Sequence, residues 1–64
     1  MMDNPVIFTV TQESDTIITI HTKDGRIKEE DREVQASPSK LINAMTMISE
    51  ILNDEGFAVL FEVD

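Results

Sequence analysis

Between Leu41 and Leu52 the apolar residues recur at the spacing that puts them on one side of a helix, and this pattern constrains the fold of the 64-residue chain more than any other. With Leu41 at 0° on a wheel of about 100° per residue, Met45, Ile48 and Leu52 fall within about 40° of it. Ala44, Ile51 and Met47 extend the arc on one side and Ile42 on the other, to a total of roughly 220°. A helix lying on one sheet needs an apolar stripe of only about 100° or a little more. The flanks, Ile42 on one side and Met47 with Ile51 on the other, therefore ask for a second surface. We expect a partner subunit there, the alternative being cover by loops.

The ends of this helix are signalled too. Ser37 suits an N-cap, its hydroxyl accepting from a first-turn N–H, and Pro38 then stands where a missing N–H costs nothing. Gly56 occupies the left-handed position that closes a helix, with Phe57 beyond it to fold back on Leu52. The reading is a helix over 38–55 and a strand over 57–63. In that strand Phe57, Val59, Phe61 and Val63 alternate with Ala58, Leu60 and Glu62, so both faces are largely apolar. Such a strand is expected to be central or covered on both sides, which so short a chain arranges most economically by pairing with a second copy.

Upstream, 6–11 and 16–22 are rich in β-branched residues and flank a polar Gln12-Glu13-Ser14-Asp15 turn, so a hairpin spans about 6–22. Setting Val10 opposite Ile18 and Phe8 opposite Ile20 gives a three-residue loop and one apolar face of Val6, Phe8, Val10, Ile18 and Ile20. That face should meet the helix. Lys23-Asp24-Gly25-Arg26 reads as a type I′ turn leading into a short third strand at about 26–29. Continuing that register would turn Glu29 and Asp31 toward the core, so 29–36 is expected to be an exposed acidic connection in which Val34 tucks back. The fold class is α+β, in the order β-β-(short β)-α-β, as one domain, with the last strand expected beside and parallel to the first, the alternative being a place beside the third strand.

Thirteen acids oppose five bases, for a net charge of −8. All five bases lie within 23–40, where five acids cancel them, whereas 41–64 carries Glu50, Asp54, Glu55, Glu62 and Asp64 and no base. Direct contact with nucleic acid or an anionic membrane requires a basic patch, and none is offered. A basic protein surface is the natural opposite, the plainer account being that acidity keeps a small protein soluble. Zero cysteines rule out disulfides and thiolate ligands and fit a cytoplasmic setting. The first residues have neither the basic nor the apolar region of a secretion signal.

Catalytic and cofactor motifs are not found, and the lone His21, in a threonine-rich strand, reads as a surface or interface residue rather than a base or ligand. Neither Glu29-Glu30-Asp31 nor Asp54-Glu55 has the alternating spacing of a calcium loop, so no metal or other cofactor is expected. Lys40 near the helix start and Asp54 and Glu55 at its end oppose the helix dipole, a local cost that draws attention to an anionic edge of Glu50, Asp54, Glu55 and Asp64. The expectation is a non-catalytic, homodimeric binding module whose acidic edge docks on a basic partner, by analogy of type with inhibitors that bacteriophages and mobile elements encode. The alternative is a self-associating assembly domain built through Ile42, Met47, Ile51 and Leu60, in which the charge serves only solubility.

Overall fold

The computed structural model describes residues 4–64. Four strands, β1 (Val6–Gln12), β2 (Ile18–His21), β3 (Glu33–Ala36) and β4 (Val59–Val63), form one mixed sheet in the order β3-β2-β1-β4. Helix α1 (Leu41–Asp54) packs on one face, preceded by a 3-10 turn at Pro38–Lys40. The class is α+β. As the sequence suggests, β4 runs parallel to β1, Val6 facing Val59 and Val10 facing Val63, while β1–β2 and β2–β3 are antiparallel.

The core is built from the face the alternation picks out. Val6, Phe8, Val10, Ile18 and Ile20 are buried, and Ile48 and Leu52 close on them from the helix. Phe8 and Phe61 on neighbouring strands stack at 5.9 Å between ring centres, tilted by 36°, within the range that favours aromatic pairs. Leu41, Ala44, Met45, Phe57, Val59 and Phe61 pack around this centre half-buried.

Two expectations about the strands are corrected first. The hairpin register is displaced by two residues: Val10 faces Ile20 and Gln12 faces Ile18. The loop is longer than expected because the Ser14 hydroxyl accepts from the backbone N–H groups of Thr16 and Ile17, at 3.3 and 3.2 Å, and Ile17 belongs to the turn. A shift of two leaves every side chain on its own face, which is why the core assignment survives it. The third strand is not at 26–29 but at Glu33–Ala36, inside the span expected to be an acidic connection. Glu33-Val34-Gln35-Ala36 itself alternates, turning Val34 and Ala36 to the face of Ile20 and Ile18.

The reason lies in the turn. Asp24 is its first residue, not a central one: the Ile27 N–H donates to the Asp24 carbonyl at 3.2 Å, and the Asp24 carboxylate accepts from the Arg26 N–H at 2.9 Å. Aspartate favours that first position of an ordinary turn because its side chain satisfies the second N–H along. Gly25 has no positive φ, so the type I′ turn is not formed. The chain continues through a 3-10 turn at Glu29–Asp31, drops Ile27 into the core, and rejoins the ladder where the Thr22 N–H donates to the Arg32 carbonyl at 2.8 Å.

At the helix start the Ser37 hydroxyl makes no capping bond; it pairs with the Ser39 hydroxyl at 3.2 Å, and the Ser37 carbonyl accepts from Lys40. At the end the expected closure is present: Gly56 has φ +96°, Gly56 N–H donates to Asn53 and Phe57 N–H to Leu52. Strand β4, expected to be central or covered on both sides, is an edge strand. Leu60 is 54% and Val63 84% exposed.

The two glycines separate these readings. Gly56→Ala should lower stability by about 1–2 kcal/mol in urea denaturation, since it forces a side chain into left-handed backbone. Gly25→Ala should be close to neutral, because no atom lies within 4 Å of where its Cβ would sit and its φ is not positive; a loss there as large as that at Gly56 would contradict the turn described.

Candidate interaction surfaces

Glu50 and Asp54 stand one turn apart on the exposed side of α1, and Glu55 caps its end, also exposed. All three lie within the last two turns, Glu55 on the side that borders the groove described below. Asp64 does not join them: it lies at the far end of β4, its N–H donating to the Val10 carbonyl at 2.9 Å and its carboxylate accepting from the Thr11 hydroxyl at 3.5 Å. Because the helix end feeds the start of β4, Asp64 lies seven residues beyond Phe57, about 23 Å at ordinary strand rise. Its companion is Glu62, on the sheet face turned away from α1.

The four expected self-association residues also divide. Met47 and Ile51 lie together on one flank of α1, 61% and 52% exposed. Ile42 is on the opposite flank, and Leu60, level with Ile7 of β1, is on the bare face of the sheet. No single flat contact covers all four.

The Met47–Ile51 flank borders a groove of about 730 Å³ between α1 and the segment 26–37. Phe8, Ile48 and Leu52 reach its floor, Val34 and Ala36 form the wall opposite the helix, and Lys28, Lys40, Glu30 and Asp31 line its rim. Sequence reasoning missed this groove because it depends on where β3 lies. The alternation of Glu33-Val34-Gln35-Ala36 was the signal that would have found it.

Arg26 ties three separate parts of the chain together beside this groove. Its guanidinium pairs with Asp24 at 2.6 Å, donates to the carbonyls of Asn4 at 2.9 Å and Pro5 at 3.3 Å, and lies 5.4 Å from the centre of the Phe57 ring. Arg32 is half-buried, its Nε donating to the Ile27 carbonyl at 2.7 Å. These two bases organise the 22–32 connection, whereas Lys23, Lys28 and Lys40 make no ion pair with the described residues.

On the bare sheet face His21 is half-buried beside a shallow concavity of about 480 Å³ that Ile7, Thr9 and Asp64 also line. Among the described residues no group of three or more histidine and acidic side chains is placed to hold a metal ion. None of the helices among the described residues is long and apolar enough to cross a membrane. Comparison with family models, with curated proteins and with solved structures finds no match for the chain.

The Arg26 side chain and then its backbone N–H, both bonded to Asp24, hold that carboxyl at about 2, well below the usual carboxylate range. A carboxylate depressed in the folded state stabilises the fold above its unfolded pKa and loses that effect as pH falls through the folded value. The melting temperature of Asp24→Asn should therefore lie below that of the unaltered chain at pH 6. The gap should narrow between about pH 4 and pH 2 and vanish below; a gap of the same size at every pH would show that the charge is not what Asp24 contributes.

Proposed function

We propose that the chain is a small non-catalytic protein-binding module of the cytoplasm that docks on a basic surface of another protein and modulates it, in the manner of inhibitors encoded by bacteriophages and mobile elements. The observation that supports this reading is the exposed trio Glu50, Asp54 and Glu55 over the last two turns of α1, with no base anywhere after Lys40. A helix C-terminus already carries about half a negative charge, so the trio adds to its own dipole and makes this the natural focus for a cationic partner. Nucleic acid and anionic membranes are disfavoured as direct partners, since the bases that would meet phosphates alternate with acids along 23–40.

A second reading has its own support. Met47 and Ile51 stand exposed side by side on a helix whose other apolar residues are at least half covered on that flank, which suits a self-associating module whose charge confers solubility.

The triple change Glu50→Gln, Asp54→Asn and Glu55→Gln tests the docking role. Capture of basic proteins from a lysate of the source at low salt should be lost, as it should be for the unaltered chain at about 0.5 M salt, where exposed charges are screened within a few ångströms. Thermal stability of the variant should hold or rise, since Asp54 and Glu55 at the helix end each oppose the dipole by about 0.3–1 kcal/mol. Equal capture by variant and parent would refute docking through this trio.

A further inference from the structure

Helix α1 carries two lengthwise stripes. One, Leu41, Met45, Ile48 and Leu52, faces the sheet. The other runs Lys40, Ala44, Met47, Ile51, Asp54, at alternating steps of four and three residues, which is the spacing of a helix-to-helix seam. Lys40, Ala44, Met47 and Ile51 all border the groove, so the structure puts them on one flank, and Asp54 follows Met47 by two turns. Of the apolar residues in this stripe Met47 and Ile51 are exposed and Ala44 is half-buried, and its ends bear opposite charges.

The charged ends of the stripe are equidistant from Met47, with Lys40 seven residues before it and Asp54 seven after. Two copies laid antiparallel about a two-fold axis at Met47 place each Lys40 against the other copy's Asp54, with the Met47 side chains meeting at the axis. The same arrangement answers the misplaced charges. On its own helix Lys40 sits at the positive end and Asp54 at the negative end, with no acidic residue in the first turn and no basic residue in the last. Across an antiparallel pair, each Lys40 lies instead at the negative end of the neighbouring helix and each Asp54 at its positive end.

We propose that the chain forms a two-fold dimer in which α1 packs antiparallel on α1 of a second copy through Met47 and Ile51, in register by reciprocal Lys40–Asp54 pairs. This rests on the self-associating reading above and gives it a surface, a direction and a register. The dimer leaves Glu50 and Glu55 at its margins, so it does not occupy the whole acidic end of the helix.

Sedimentation at low salt, over about 10 μM to about 1 mM, tests it with two charge reversals. The unaltered chain should dimerise. Lys40→Glu alone and Asp54→Lys alone should each weaken the dimer about tenfold or more, since like charges then meet at both ends of the seam. An equimolar mixture of the two variants should restore dimerisation, because both cross pairs again join opposite charges. Each reversal puts a charge at the favourable end of its own helix, so at concentrations where the parent too is monomeric the variants should melt at the same temperature as the parent or a few degrees higher, which distinguishes dissociation from unfolding. A parent that stays monomeric throughout would overturn both the pairing and the self-associating reading. A parent dimer indifferent to the reversals, or variants that do not complement one another, would overturn the antiparallel pairing alone.

Discussion

One helix has to cover four strands. An α-helix with its side chains is about 10–12 Å across, whereas four strands spaced at about 4.8 Å set their outermost axes more than 14 Å apart, before side chains are counted. Helix α1 therefore seals the sheet over Phe8, Ile20, Ile48 and Leu52 and leaves a trough along β3. The remaining surface features follow from this shortage of covering material. The sheet's second face is bare with Ile7 and Leu60 on it, and the flank of α1 above the trough keeps Met47 and Ile51 in solvent. The connection between β2 and β3 compensates in part by sending Ile27 inward, so that an irregular segment supplies a core residue that a second helix would supply in a larger domain.

The charges divide by task in a way that composition hides. Arg26 donates several hydrogen bonds, to the carbonyls of Asn4 and Pro5 and to Asp24, which is work suited to a planar guanidinium with donors fixed in a fork, and Arg32 donates to the Ile27 carbonyl. Arg26 holds the 22–32 connection against Asn4 and Phe57, and Arg32 braces it from within. The three lysines remain on the outside, and the acids of α1 and β4 face solvent without a base beside them in sequence. Two of the five bases are thus engaged in bonds within the fold, which leaves the three lysines as the bases that make no ion pair with the described residues.

What was readable in the sequence was whatever depended on periodicity. Alternation identified Val6, Phe8, Val10, Ile18 and Ile20 as the inward face, and because a strand repeats every two residues that reading withstood a register wrong by two. The 3.6-residue period and Gly56 gave the helix and its end. What was not readable depended on competition between local signals. Asp24-Gly25 resembles a hairpin turn, but the aspartate side chain captures the Arg26 N–H and makes a different bend, which displaces the third strand by seven residues. The acids of 29–33 then drew attention away from the alternation that begins at Glu33. Asp64 was grouped with the helix acids on charge alone, and the direction of β4 carries it to the other end of the sheet.

The parallel pairing of β1 with β4 joins the first strand of the fold to the last, Val6 to Val59. Two of the half-buried residues around the core, Val59 and Phe61, thus arrive only with the final segment. Until then β1 has one neighbour and an open edge, and its valines and Phe8 lack a wall on that side. A chain growing from its N-terminus can form the β1–β2 hairpin early, but it completes the sheet in a single late step that bridges more than fifty residues. Folding should consequently be slow for so small a protein, and all-or-none rather than gradual.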